Sequence, residues 1–240
     1  MTPPPLPASA ALFLDFDGCL VDIAPRPDAV QVTPALTRRL SRLLQRQGGA
    51  VALVSGRDVA DLRGHLPDFP GIVAGSHGAE FSPAPGRIES AGHPDLDIDR
   101  LHRVARELAQ PHPVVLVEEK PHGVALHYRA DPALRSFVED LSERLAAAHP
   151  GLALQPAKMA VELRPAGIGK GDALARLMGM APFAGRMPVY AGDDTTDEPA
   201  MAEAQARGGF GIRIGPGPSV ARYTLPDPEA LAGWLDASLS

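Results

Sequence analysis

The fold of this chain is decided by the stretch AALFLDFDG, residues Ala10 to Gly18. Its first five residues are apolar, which is typical of a fully buried β-strand. Asp15 and Asp17 follow at the point where the strand ends and the chain turns. In open α/β sheets the carboxyl ends of the strands form the edge at which ligands bind. A plain acidic turn is the alternative, and this stretch alone does not decide between the two.

Four more short apolar runs end in a polar or glycine-rich cluster. They are Ala50–Val54, Ile72–Ala74, Val189–Ala191 and Phe210–Ile214. After the first strand, Thr33-Pro34 predicts the start of a helix with leucines on one face. This alternation of strands and helices predicts an α/β fold with a Rossmann-like, doubly wound parallel sheet. The polar clusters would then all meet at one edge of that sheet.

The middle of the chain follows another pattern. Two amphipathic helical segments, Leu101–Leu108 and Leu134–Leu145, are each followed by two strand-like runs. The runs are Val114–Val117, Val124–Tyr128, Leu152–Leu154 and Met159–Leu163. This α-β-β-α-β-β order predicts a small antiparallel sheet with both helices on one face. We therefore expect a core domain of residues 1–84 and 165–240, and an inserted α+β cap domain of residues 85–164.

The composition is that of a soluble globular protein, with 45% hydrophobic and 22% charged residues among 240. A net charge of −6 without a basic block disfavours nucleic acid, and no apolar run is long enough for a membrane span. The single Cys19 excludes an internal disulfide and favours a reducing compartment. We expect a cytoplasmic protein, a monomer or weak dimer. The proline-rich segment Met1–Ser9 lacks the charge of a signal peptide and is expected to be a frayed tail.

The densest acidic cluster is GDDTTDE, residues Gly192 to Glu198, with four acids in its last six residues. Such carboxylates repel one another unless a cation is present, and Mg²⁺ prefers one or two protein carboxylates together with phosphate oxygens and water. The alternative is that these acids cap the next helix. For Asp193 we favour metal binding, because the first strand supplies a matching pair of acids.

Two further motifs suit a bound phosphate. Ser55-Gly56-Arg57 follows a strand and precedes a helix, so the Ser55 hydroxyl and the helix amides can hold phosphate oxygens, although a plain helix cap is equally compatible. GIGKG, residues Gly167 to Gly171, places Lys170 at a helix start without the full Walker pattern. Beside a phosphate and an aspartate nucleophile, this lysine would offset negative charge.

The motifs DxDG, SGR, GxGKG and GDDxTDE, in this order and with an inserted domain, resemble the haloacid dehalogenase superfamily of phosphatases over nearly the whole chain. The resemblance implies a C2B-type cap, a magnesium cofactor and an aspartyl-phosphate intermediate. It implies that Asp15 is the nucleophile and Asp17 the general acid/base, that Ser55 binds phosphate and that Lys170 neutralises charge. The residues implied in magnesium binding are Asp15, the Asp17 backbone carbonyl and Asp193, supported by Asp194 and Asp197.

One residue departs from the superfamily pattern. A threonine usually follows the glycine of DxDG, whereas this chain has Cys19. Because a thiol is a weaker hydrogen-bond donor than a hydroxyl, we expect weaker support for Asp17.

Other segments narrow the resemblance to trehalose-6-phosphate phosphatases, and they are Val21–Pro25, Ser76–Glu80, Glu118–Lys120, Ala125–Arg129 and Val161–Pro165. The implied reaction is hydrolysis of this sugar phosphate to trehalose and phosphate. The residues implied in substrate binding are Arg57, His77, Gly78, Glu80, Glu118, Lys120, Lys158 and Glu162. Strand alternation also places Lys158 and Glu162 opposite the helix-covered face, which could equally be a solvated surface.

Other functions stay open at this point. A related phosphatase of sucrose phosphate or another sugar phosphate fits the same motifs, and so does a phosphomannomutase-like activity. A catalytically silent sugar-phosphate sensor would need neither Asp15 nor Asp17. A phospho-accepting receiver domain shares the doubly wound sheet but would not need the inserted domain.

Overall fold

The computed structural model describes residues 1–24, 29–90, 96–157 and 159–239. These residues form seven α-helices: α1 (Pro34–Arg46), α2 (Val59–His65), α3 (Ile98–Ala109), α4 (Arg135–Ala148), α5 (Lys170–Met178), α6 (Glu198–Ala206) and α7 (Pro228–Ala237). They also form twelve β-strands: β1 (Ala10–Leu14), β2 (Val51–Val54), β3 (Ile72–Gly75), β4 (Glu80–Ala84), β5 (Arg87–Ser90), β6 (Leu116–Lys120), β7 (Gly123–His127), β8 (Leu152–Ala157), β9 (Ala160–Pro165), β10 (Met187–Gly192), β11 (Phe210–Ile214) and β12 (Tyr223–Leu225). No helix in the described residues is both long and apolar enough to cross a bilayer.

The chain divides into two compact units. The core unit is Met1–Ser90 with Ile168–Ser240, and the inserted unit is Ala91–Gly167. Both boundaries fall a few residues later than the predicted ones at 84 and 165. At the first boundary, β5 pairs with β4 and so belongs to the core sheet. At the second, the Ala166 amide donates to the Gly151 carbonyl at 2.7 Å and stays with the inserted unit.

The described residues of the core unit form one eight-stranded sheet in the order β12-β11-β10-β1-β2-β3-β4-β5. The strands from β12 to β3 are parallel, and β4 and β5 add an antiparallel edge. Alternate residues of β1 enter two hydrophobic clusters on opposite faces of the sheet. Leu12 and Leu14 pack with α1, α2 and α7, whereas Ala11 and Phe13 pack with α5 and α6. The predicted doubly wound α/β fold is confirmed.

All five strands predicted for the parallel sheet are present as β1, β2, β3, β10 and β11. Three strands of the core sheet were not predicted. β12 has three residues and is an edge strand. The hairpin of β4 and β5 contains Pro83 and Pro85, and proline is unfavourable in a strand because it does not donate to a ladder.

The inserted unit has the predicted α-β-β-α-β-β order. Its described residues form an antiparallel sheet in the order β6-β7-β9-β8. Apolar residues of α3 and α4 form one hydrophobic cluster with the alternate strand residues that face them; these are Leu101, Ala105, Val138 and Leu141 from the helices and Val124, Leu126, Val161 and Leu163 from the strands. The opposite face of the sheet carries the polar residues Glu118, Lys120, His127 and Glu162.

The N-terminal segment is not a frayed tail, which corrects the expectation from its proline content. Leu6 is buried in the core, and its amide donates to Ser238 Oγ at 3.1 Å. The indole of Trp234 donates to the Pro4 carbonyl at 2.9 Å, and the Gln47 amide group donates to the Pro7 carbonyl at 3.1 Å. Proline lacks a donor but keeps its carbonyl, so side chains of α7 and the end of α1 hold this segment.

Arg63 ties α2 to the antiparallel edge of the core sheet. Its guanidinium donates to Ser82 Oγ at 3.1 and 2.9 Å, to the Ser82 and Gly71 carbonyls at 3.1 Å each, and to the Phe69 carbonyl. Ser82 is fully buried, and burial lowers the pKa of Arg63. The carbonyls of a loop without regular structure therefore depend on one side chain.

We predict that Arg63→Met lowers the free energy of unfolding by about 2–4 kcal/mol, because several buried acceptors lose their donor. Urea denaturation followed by circular dichroism measures this change. Arg207→Met is the control: its half-exposed pair with Glu203 on α6 should contribute less than about 1 kcal/mol. Equal losses in the two variants would contradict the assignment.

Candidate active site

The predicted polar clusters lie at the carboxyl edge of the core sheet. Leu14 is paired with Ala191 of β10 on one side and with Leu53 of β2 on the other. The residues that follow these three strands are therefore neighbours. Asp15, which is 4% exposed, continues the pairing, since its amide donates to the Ala191 carbonyl at 2.9 Å.

A buried ammonium lies between two carboxylates at this edge. Lys170 is the first residue of α5, and its Nζ lies 2.9 Å from Asp15 Oδ1 and 2.7 Å from Asp197 Oδ1. All three side chains are buried. Burial alone would lower the pKa of Lys170, but the two carboxylates outweigh it and raise that pKa, so the amine stays protonated.

Four hydrogen-bond donors occupy the two carboxylate oxygens of Asp197. Besides Lys170, the Tyr190 hydroxyl donates to Asp197 Oδ1 at 2.7 Å. The backbone amides of Asp193 and Asp194 donate to Asp197 Oδ2, each at 3.0 Å. These four donors leave Asp197 little capacity for another ligand, and they join the end of β10 to α5. Asp194 caps the same turn and accepts from the Thr195 amide at 2.7 Å.

Glycine is required at two positions of the motifs, because acidic side chains lie too close to the backbone there for a Cβ atom. A Cβ on Gly18 would lie 2.1 Å from Asp193 Oδ2, and Gly18 also has a positive φ of 70°. A Cβ on Gly192 would lie 2.3 Å from the Asp197 carboxyl carbon. Any larger residue at either position would displace an acid of the cluster, because real Cβ contacts are not that short.

The donor set fits a hard cation such as Mg²⁺. Carboxylate oxygens of Asp15, Asp193 and Asp197 lie within 4.8 Å of one another. Burial, followed by repulsion from Asp197, raises the pKa of Asp193 to about 6 and raises that of Asp15 as well, although Lys170 opposes both shifts. One ammonium therefore does not balance three carboxylates. Because Asp197 is already saturated, Asp15 and Asp193 are the side chains that could hold a metal.

The predicted phosphate residue Ser55 directly follows β2 and is buried. Its hydroxyl accepts from the Arg57 amide at 3.2 Å, and its carbonyl accepts from the His77 amide at 2.9 Å. His77 and Ser76 have positive φ angles of 56° and 49° in the turn after β3, and Gly78 follows them. Such a conformation costs of order 1–3 kcal/mol per residue and is typical of functional turns.

Arg57 does not point to an open phosphate position but pairs with Asp17. Its Nε lies 2.6 Å from Asp17 Oδ2, and its Nη2 lies 2.8 Å from Asp17 Oδ1. The Arg57 Nη1 contacts Asp61 Oδ2 at 2.6 Å and His65 Nε2 at 3.2 Å. The general acid/base expected from the sequence is thus held by a bidentate ion pair.

Glu80 and Cys19 have local partners. Glu80 Oε2 accepts from the Val59 amide at 2.8 Å and so caps α2, which is a structural role. The Cys19 thiol donates to the Ala191 carbonyl at 3.4 Å. Burial raises the pKa of this thiol, and the Asp15 charge raises it further, which disfavours the thiolate.

Three polar residues predicted in the inserted unit, Glu118, Lys120 and Glu162, make ion pairs on its sheet. Lys120 Nζ lies 3.3 Å from Glu162 Oε1, and His127 Nε2 lies 2.7 Å from Glu118 Oε2. The hydrogen bond from His127 lowers the pKa of Glu118. Lys158, the remaining residue predicted there, lies outside the described residues, as does Pro25 of the segment Val21–Pro25.

Sequence reasoning missed the role of Tyr190. It lies in the middle of a strand that reads as apolar, and its ring is fully buried. The available signal was its hydroxyl, since a buried tyrosine oxygen needs a hydrogen-bond partner. Asp61 and His65 were also missed, although they lie four and eight residues after Arg57, which is the spacing of one helix face.

The amino-acid sequence is similar to those of known phosphatases. The profile of the family described as trehalose-phosphatase matches residues 13–229. A probable trehalose-phosphate phosphatase of Sinorhizobium fredii is 44% identical over 232 residues, which cover 95% of this chain and 86% of the relative. The trehalose-6-phosphate phosphatase of Escherichia coli is 38% identical over 237 residues, which cover 97% and 88%.

The fold is shared with a solved structure. The crystal structure of a trehalose-6-phosphate phosphatase related protein matches with a TM-score of 0.73 and 26% identity, covering 95% of this chain and 96% of that one. Matches of sequence and of structure both extend over nearly the whole chain. The chain therefore belongs to the trehalose-phosphatase family of phosphoric monoester hydrolases.

Proposed function

We propose that this chain is a Mg²⁺-dependent phosphatase that hydrolyses trehalose 6-phosphate to trehalose and inorganic phosphate. The observation that carries the proposal is the buried Asp15, 2.9 Å from Lys170 and beside two more carboxylates at the carboxyl edge of the sheet. The substrate follows from the family and from the relative named trehalose-6-phosphate phosphatase.

Asp15 acts as the nucleophile. One of its carboxylate oxygens bonds to phosphorus while the bond between phosphorus and the sugar oxygen breaks, so the phosphoryl group is carried on Asp15. Asp17 enters this step protonated, with one of its two contacts to Arg57 open, and gives its proton to the departing sugar oxygen. In the second step Asp17 accepts a proton from water, whose oxygen bonds to phosphorus as the bond to Asp15 breaks. Inorganic phosphate leaves, and both aspartates return to their starting states.

The surrounding groups balance charge during both steps. Lys170 offsets the negative charge on the phosphoryl oxygens, and the Ser55 hydroxyl donates to one of them. Mg²⁺, held by the Asp15 and Asp193 carboxylates and the Asp17 backbone carbonyl, would supply the remaining positive charge and orient the phosphoryl group. Asp194 and Asp197 support these ligands through the hydrogen bonds of the turn after β10.

Side chains of the inserted unit select the sugar. Lys120, Glu162 and Glu118 offer charged donors and acceptors that suit a polyhydroxylated group, and Lys158 completes the set. In the core unit, the strained turn at His77 and Gly78 contributes further contacts. Arg57 and Glu80 are not included, since their side chains hold Asp17 and cap α2.

We also propose a cellular compartment and an oligomeric state for the enzyme. The buried thiol of Cys19 is compatible with a reducing compartment, and we place the protein in the cytoplasm. A monomeric or weakly dimeric state stays a prediction.

We predict that Asp15→Asn lowers phosphate release from trehalose 6-phosphate by at least about four orders of magnitude, since an amide does not attack phosphorus. Inorganic phosphate is measured at saturating substrate, and circular dichroism verifies folding. Asp236→Asn, a change of the same kind on the surface of α7, should retain wild-type turnover. Normal turnover in Asp15→Asn would exclude the mechanism.

Magnesium dependence has two readouts. Dialysis against EDTA should remove activity, and added Mg²⁺ should restore it. Asp193→Asn should raise the dissociation constant for Mg²⁺, measured by isothermal titration calorimetry, by about 10- to 100-fold, because a ligand carboxylate is lost. Asp58→Asn at the N-cap of α2 is the control. Full activity after chelation would rule out the metal requirement.

Selection of the sugar is tested by Lys120→Ala and Glu162→Ala. Each lost hydrogen bond to a charged group is worth roughly 1.5–3 kcal/mol, so kcat/KM for trehalose 6-phosphate should fall about 10- to 100-fold. Hydrolysis of 4-nitrophenyl phosphate should be spared, because this substrate lacks the sugar. Glu119→Ala, which removes the neighbouring carboxylate paired with Arg106 of α3, should affect neither substrate. Parallel losses on both substrates would assign these residues to the scaffold.

A further inference from the structure

The contacts of Arg57 do not match the substrate-binding role that its motif predicts. The sequence placed Arg57 among the contacts of the sugar phosphate. In the structure its side chain is 10% exposed, and its guanidinium meets Asp17 with two nitrogens, at 2.6 and 2.8 Å. Paired parallel contacts of this kind fix the orientation of a carboxylate as well as its position.

The far side of the guanidinium is fixed as well. The third nitrogen of Arg57 contacts Asp61 at 2.6 Å and His65 at 3.2 Å, both on α2. The Phe16 ring lies 5.5 Å from the guanidinium carbon, within the range of a cation–π contact. Two carboxylates and an aromatic ring thus surround the group. The pKa of Arg57 is raised because the hydrogen bonds and charges of Asp17 and Asp61 outweigh its burial.

We propose that Arg57 is a positioning residue that acts through Asp17 and does not bind the sugar phosphate. Asp17 needs one free oxygen to exchange a proton with the leaving group or with water. Both oxygens face donors of Arg57, so one contact must open during turnover. The other contact then keeps the remaining oxygen, and with it the direction of the carboxylate, in place.

This inference rests on the proposed function, because it assigns Arg57 to the acid/base step of the same reaction. Its signature differs from that of a substrate contact. A positioning residue should lower kcat where the leaving group needs a proton, and it should leave KM nearly unchanged. A leaving group such as 4-nitrophenolate barely needs a proton, so its release should be insensitive to Arg57.

The test is a double-mutant cycle with Arg57→Ala, Asp17→Asn and the double variant. For trehalose 6-phosphate, Arg57→Ala should lower kcat about 10- to 100-fold, part of the 10²–10⁴-fold that general acid–base catalysis contributes. KM should change less than about threefold, and so should kcat for 4-nitrophenyl phosphate. In the Asp17→Asn background, removal of Arg57 should have no further effect. Arg57→Lys keeps the charge but not the paired contact, so kcat should also fall.

The matched control is Arg39→Ala. Arg39 makes the same paired contact with Asp236, at 2.8 and 2.8 Å, between α1 and α7. Its loss should leave both substrates unaffected. Thermal unfolding of each variant shows that the fold is retained, and if Arg57→Ala unfolds, Arg57→Lys carries the cycle.

Three outcomes would overturn the inference: a rise in KM with kcat unchanged, multiplicative losses in the double variant, or equal losses on the two substrates. Failure of the proposed function looks different. If Asp17→Asn has wild-type kcat for every substrate, the acid/base step itself is wrong. If the wild type hydrolyses glucose 6-phosphate but not trehalose 6-phosphate, only the substrate is wrong, and the same cycle is measured on glucose 6-phosphate.

Discussion

The active-site edge of the core unit depends on one interaction. The buried Lys170 ammonium contacts the carboxylates of both Asp15 and Asp197. Three carboxylates lie within 4.8 Å of one another, and two of them are almost completely buried. Taken out of water without a cation, such groups would neutralise rather than stay ionised. Removing one partner from a buried ion pair typically costs about 3–5 kcal/mol. The position of α5, which begins at Lys170, is therefore a chemical requirement of the site as well as a result of packing.

Packing in turn fixes the distances between these charges. Alternate residues of β1 enter the two hydrophobic clusters, so a slip of one residue against β10 would turn Leu12 and Leu14 towards the wrong face. The same slip would move Asp15 away from Asp193. Two faces covered by helices thus exclude other registers, and the chemistry at the carboxyl edge is set by apolar residues that take no part in it.

Local sequence was sufficient for the parts of the site that follow directly from strand ends. Asp15, Ser55 and Asp193 could be placed at one edge because each follows an apolar run, and a parallel sheet aligns such ends. Contacts that depend on side-chain direction across the fold could not be predicted. The bond from Tyr190 to Asp197 and the pairing of Arg57 with Asp17 join residues whose spacing carries no periodic signal. The anchored N-terminal segment was missed for the same reason, since its partners lie on α7 and at the end of α1.

Charged side chains predicted to bind the substrate already have protein partners within their own units. Asp17 is paired with Arg57, Lys120 with Glu162, and Glu118 with His127. A ligand gains only the difference between its own contacts and the internal ones that it replaces. A ligand that binds at any one of these pairs must therefore bring contacts stronger than the pair that it opens. At the carboxyl edge of the core sheet this applies to Asp17, because both of its oxygens already accept from Arg57. Internal pairing thus reduces the free energy that a weakly interacting molecule gains at this position.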